Sequence, residues 1–91
     1  MSFPKMTEAE LSEIEARCAA ATGAPWQSWI EGRDHLSGQN VITTKGEDLY
    51  FSDAGAADQD FVAAARQDVP NLVTEVRRLR ALLTKLGGVE P

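Results

Sequence analysis

The feature that most constrains this chain is an apolar stripe near its carboxy-terminal end. Val62, Ala65, Val69, Leu72, Val76, Leu79, Leu83 and Leu86 recur at alternating three- and four-residue steps, the pattern of one face of an α-helix. Pro70 lies inside that stripe. A proline in a helix interior removes a backbone donor and crowds the preceding turn, but it suits the first position of a new helix. The pattern therefore predicts a kinked pair of helices over 57–86 that meet at Val69-Pro70, with Gly87-Gly88 closing the second.

From Leu72 on, the repeat is a heptad. With Val76 at a, Leu79 is d, Leu83 is a, Leu86 is d and Leu72 is the preceding d. Glu75 then falls at g and Arg80 at e, where a parallel partner would bring them together. Two readings stand side by side: the stripe packs on the chain's own sheet and first helix, or it pairs with a second copy. The two weigh evenly, and both can hold in different turns. A chain of 91 residues buries only about 60–65% of its unfolded surface. The single Cys18 and single His35 permit neither a disulfide nor the usual zinc tetrahedron. Self-association is the expected extra source of stability.

Upstream, residues 1–6 read as a disordered lead and 89–91 as a tail around one domain over 7–88. Thr7-Glu8-Ala9-Glu10 fits a capping box, and Leu11, Ile14, Cys18 and Ala21 form an apolar stripe. Gly23 is a natural helix stop and Pro25 blocks resumption, so the first helix is expected over 7–22. Residues 26–52 read as a three-stranded antiparallel meander. Trp26–Ile30, Val41–Thr44 and Leu49–Phe51 are the β-rich runs, joined by turns at 32–38 and 45–48. The fold class is α+β: a helix, a small sheet that needs a helix on one face, and the helix pair.

The charge balance is 9 Lys+Arg against 14 Asp+Glu, net -5, the wrong sign for a general nucleic-acid binder. No apolar run approaches the ~20 residues of a membrane span, and Met1–Glu15 has no secretory pattern. The expected setting is cytosolic, with Cys18 reduced.

Charge is segregated locally. Residues 47–60 carry Glu47, Asp48, Asp53, Asp58 and Asp60 with no basic residue, a solvated acidic stretch without calcium-loop spacing. Residues 72–86 carry Arg77, Arg78, Arg80 and Lys85 against Glu75. These are a solvated helix face of dipole-favoured sign, or an anion site completed by a second subunit. Arg66 sits four residues after Val62 on the edge of the stripe. It is either paired, with Asp34, Asp60 or Asp68 as candidates, or turned toward a ligand. Trp26, Trp29, Tyr50 and Phe51 are core by default, and Tyr50 and Phe51 should face opposite sides of a strand. The alternative is that one of these aromatics stacks on a base beside the arginines. His35 reads as an exposed loop residue, Cys18 as inert packing, and Glu31 with Asp34 as a weak carboxylate pair. No nucleophile elbow, phosphate loop or dinucleotide fingerprint is present, so no catalysis, metal or cofactor is expected.

Ala19–Trp26 (Ala-Ala-Ala-Thr-Gly-Ala-Pro-Trp), the β-rich middle and Asp60–Val73, followed by a Glu/Arg/Leu helix, together resemble the Ead/Ea-like small proteins of phage early regions and prophages. That family shows an Ala-Thr-Pro-Gly-Pro-Trp corner and a Phe-Ile-Ala-Ala-Ala-Arg/Asn-x-Asp-x-Pro junction. Gly23-Ala24-Pro25 departs from it at the corner. The proposed architecture is also similar to that of phage anti-defence sponges of the Thoeris type, small oligomers that sequester cyclic nucleotide signals. That resemblance implies a non-catalytic phage protein in the host cytosol that binds a cyclic oligonucleotide or cyclic ADP-ribose. Arg66, Arg77 and Arg78 would take phosphates, Trp26 or Phe51 would stack on a base, and Leu72, Val76, Leu79, Leu83 and Leu86 would form the oligomer seam. The alternative is an acidic protein-interaction module or inhibitor that acts on a host protein through its last helix.

Overall fold

A computed structural model describes residues 5–87. The elements in chain order are α1 (Glu8–Ala20), β1 (Gln27–Trp29), β2 (Asn40–Thr43), β3 (Leu49–Phe51) and α2 (Ala56–Gly87). The α+β class and the three-stranded antiparallel meander, in the order β1-β2-β3, follow the sequence reading.

Thr7 caps α1. Its hydroxyl accepts from Glu10 N at 3.0 Å, and the Glu10 carboxylate accepts from Thr7 N at 2.9 Å. Two donors that a helix start leaves unpaired are thereby satisfied. The other end of α1 differs from expectation. The helix stops at Ala20, and Gly23 does not adopt the left-handed conformation, which among the described glycines belongs to Gly32 and Gly38 alone. No glycine cap is used there, because the last carbonyls of α1 find a side-chain donor on α2, as shown below. The expected disordered lead is also shortened. Met6 is docked, its carbonyl accepting from Arg80. Residues 1–4, the tail 89–91 and the predicted stop at Gly88 lie outside the described residues.

The largest correction concerns Pro70. The structure has one continuous helix of 32 residues in place of a pair, with Pro70 inside it. A proline removes a single donor from the ladder. The apolar face runs on through it, and Val69 and Pro70 are both half-buried beside Val73, which is buried. Packing of that face supports the helix across the missing bond, as tertiary contacts generally do for protein helices.

The core is small. Leu11, Ile30, Ile42, Ala63 and Val73 are the buried apolar residues among those described. Ser28 and Ile42, partners in the β1–β2 register, are both buried on the face that α2 covers. The opposite face presents Trp29, Val41 and Tyr50 in one cross-strand row. Trp29 donates through Nε1 to Thr43 Oγ1 at 3.0 Å. Tyr50 is exposed and Phe51 half-buried, opposite in facing as the strand alternation requires. The turn after β1 is fixed by the Asp34 carboxylate, which accepts from Ile30 N at 2.8 Å, and by Gly32 at φ 84°.

The element that pins sheet to helix is Gln59, fully buried in the first turns of α2. Its Nε2 donates toward Ser28 Oγ at 3.1 Å, the Trp29 carbonyl at 3.2 Å and the Val41 carbonyl at 3.0 Å. α1 then packs along the middle of α2. Beyond Arg80, α2 continues past the start of α1. The molecule is consequently long, 56 × 32 × 19 Å, with a radius of gyration of 17.4 Å where about 12 Å is usual for this length.

Candidate functional site

Of the five candidates for an anionic ligand, the structure brings Arg66 and Trp26 together and leaves Arg77, Arg78 and Phe51 apart from them. Arg66 caps α1. Its Nε donates to the Thr22 carbonyl at 2.8 Å and an Nη to the Cys18 carbonyl at 3.0 Å. Trp26 Nε1 donates to that same Thr22 carbonyl at 3.0 Å. The position of Arg66 at the stripe edge was legible, but its partners are backbone carbonyls rather than Asp34, Asp60 or Asp68. A cation against the carbonyl end of a helix is favourable on two counts, the hydrogen bonds and the dipole. The two segments that carry the phage-family resemblance, the corner at 19–26 and the junction at 60–73, therefore meet through one carbonyl oxygen.

Arg77 lies about 16 Å further along α2, eleven residues at 1.5 Å each. It holds α1 through Glu15 at 2.9 Å and Glu8 at 2.7 Å. The hydrogen bonds that Arg77 donates to those carboxylates raise its pKa, and Arg77 in turn lowers that of Glu8. Arg78 pairs with Glu75, one turn away. Arg80 turns toward α1, donating to the Met6 carbonyl and lying 3.5 Å from Glu8. Glu75 and Arg80 thus both have partners within the chain. Phe51 lines a different depression from Trp26, one of about 390 Å³ with Glu31, Asn40 and Tyr50.

The five predicted seam residues divide. Val76 is half-buried and lines an apolar recess with Leu11, Ile14 and Val73. Leu72, Leu79, Leu83 and Leu86 are 63%, 44%, 49% and 75% exposed. Two residues join them that the heptad did not include, Leu82 and Phe61, the latter 74% exposed. At 100° per residue, Phe61, Leu72, Leu79, Leu83 and Leu86 fall within about 60° of one another. They form a single exposed apolar band along α2.

Beside that band, α1 and α2 enclose a shallow groove of about 340 Å³. Ile14, Cys18, Trp26, Phe61, Ala65 and Val69 are among its lining residues, with Arg17 and Arg66 at its border. Ile14 and Val69 also line the recess near Val76, so the groove is continuous along the helix pair.

The remaining chemistry is structural. Arg33 clamps Asp34 and Asp60 at 2.8 and 2.7 Å and holds both carboxyls below the usual carboxylate range. Glu31 accepts from Gly38 N at 2.7 Å, so Glu31 and Asp34 serve separate turns. His35 is half-buried rather than exposed, with Nδ1 against Ser37 and Glu31. Among the described residues no group of three or more His, Cys, Asp or Glu is placed to hold a metal, and no helix is long and apolar enough to cross a membrane. No family model matches the chain, and no curated protein or solved structure matches it.

Proposed function

We propose that this chain is a non-catalytic protein-interaction module whose working surface is the exposed band of α2. One observation carries the reading: Leu72, Leu79, Leu83 and Leu86 lie along one face of α2 and stay 44–75% exposed in the described chain. A contiguous exposed apolar surface of this kind is the usual mark of an association face, and an amphipathic helix laid against a partner is a recurrent recognition mode. The acidic charge of the rest of the molecule, net -5, keeps the free form soluble and biases partner choice. A phage early-region origin and action in the host cytosol belong to the same proposal.

The test is quantitative capture from native extract with the wild-type chain and with Leu79→Asp. Leu79 is 44% exposed, so the variant keeps its fold by circular dichroism. The reading requires that a stoichiometric partner, a second tagged copy included, is lost with the variant. Identical recovery by both proteins would remove it.

A second reading, sequestration of a cyclic nucleotide, is favoured by the groove that brings Trp26, Arg17 and Arg66 together. Arg17 has no side-chain partner among the described residues. Saturating cyclic dinucleotide or cyclic ADP-ribose must then raise the melting temperature, and an unchanged melting temperature excludes it.

A further inference from the structure

The band on α2 and the groove beside it are complementary, and from this we infer that two copies of the chain pair antiparallel through α2, the leucine end of each helix covering the groove of the other. The inference rests on the interaction reading above and names the partner.

Surface area supports it first. The chain exposes 6693 Å², whereas a self-sufficient folded monomer of 9.9 kDa exposes about 5,200 Å². A surface of this size has room for the ~800 Å² per partner of a standard interface.

The second argument is the offset of the elements. α2 runs past the start of α1, and this overhang carries Leu82, Leu83 and Leu86, which are 41%, 49% and 75% exposed among the described residues. At the other end of α2, Phe61 stands exposed over the open groove. A closed pair requires each patch to meet its complement through a two-fold axis. An axis near residue 73 sets Phe61 beside Leu86 of the second copy, about 12 residues either side of the crossing. A parallel pair instead stacks overhang on overhang and leaves both grooves open.

Charge and size complete the register. In an antiparallel pair the same flank of each helix meets itself. On the flank bearing Glu75, Ala64 comes opposite Leu82 of the second copy, small against large. Asp68, which has no side-chain partner among the described residues, comes opposite Arg78. The other flank is already occupied by α1 through Arg77 and Arg80.

The experiment uses the full chain with Cys18→Ser and Lys85→Cys, carrying a spin label at position 85. Double electron–electron resonance should give an inter-label distance of about 35 Å, twice the twelve-residue offset at 1.5 Å per residue. Sedimentation should show a dimer whose dissociation constant rises more than ~10-fold for Leu83→Asp, since a charge is then buried at the seam. A distance below ~20 Å would mean parallel pairing and overturn the proposal. So would a monomer at all concentrations. A monomeric wild type that still loses a foreign partner on Leu79→Asp overturns self-pairing alone and leaves the interaction reading standing.

Discussion

Gln59→Ala offers the sharpest measure of how the sheet is held to the helix. The side chain is fully buried. Its amide has two hydrogens, and three oxygens lie within 3.0–3.2 Å of Nε2, so one hydrogen is shared. Truncation leaves the Ser28 hydroxyl and two carbonyls without this donor, and an unsatisfied buried polar group costs about 1–3 kcal/mol. Part of that is returned, because Gln59 Oε1 is itself buried without a partner and disappears with the side chain. The net expectation is about 2–4 kcal/mol. A chain of 91 residues has in total about 5–14 kcal/mol of stability at ~0.05–0.15 kcal/mol per residue. Urea titration followed by far-ultraviolet circular dichroism reads the loss as a lower midpoint at constant slope. Gln59→Leu separates the hydrogen bonds from the cavity and should retain most of the loss. Gln59→Glu sets acceptor against acceptor. Its carboxyl must stay neutral in the fold, so its folded pKa lies above the unfolded one. The penalty is then present at neutral pH and relieved as pH falls toward ~4.3. A loss under ~1 kcal/mol in both Ala and Leu variants would refute the reasoning.

Three further outcomes are expected. Pro70→Ala should stabilise α2 by about 1–3 kcal/mol, because an interior proline costs that much relative to alanine; an unchanged melting temperature would instead fit two helices meeting at residue 70. Arg66→Ala should cost about 2 kcal/mol, since hydrogen bonds from a charged group are worth ~1.5–3 kcal/mol, and Arg66→Lys should recover only part, as an ammonium lacks the planar fork that reaches two carbonyls. Both are read from thermal melts. Asp34 and Asp60 have folded pKa values below the ordinary 3.8, first because Arg33 donates hydrogen bonds to them. Their contribution is therefore present above that value and fades as pH falls through the lowered folded pKa. Acid titration of Arg33→Ala should show this component gone, and an unaltered acid limb would count against the clamp.

What the sequence disclosed was whatever is decided within a few residues. The capping box needs only Thr7 and Glu10, three apart, and it formed as read. The strands followed their β-branched and aromatic runs because glycine-bearing connections, ten residues over 30–39 and five over 44–48, part them. Interactions across the chain were not legible. Arg66 lies where the stripe edge places it, but the backbone carbonyls at the end of α1 are anonymous in a sequence, where carboxylates are the visible partners. Gln59 precedes Val62 by three residues on the inward side of the stripe. Its polarity disguised a core position, and only the carbonyls gathered above it explain why an amide belongs there. Pro70 was read by its local cost, and the packing of Val69 and Val73 that outweighs that cost is tertiary. The arginines of α2 looked available because α1's glutamates, some 60 residues away in sequence, gave no sign of facing them.

The Thr22 carbonyl joins the two halves of the fold at one point. It receives Trp26 from the approach to the sheet and Arg66 from the long helix, and it belongs to the segment that ends the first helix. Three stretches of backbone thus share one oxygen as a common knot. Slackening any of them releases the other two, so amide exchange should report the corner, the sheet approach and the first half of the long helix opening as one unit, while the far leucine turns breathe independently.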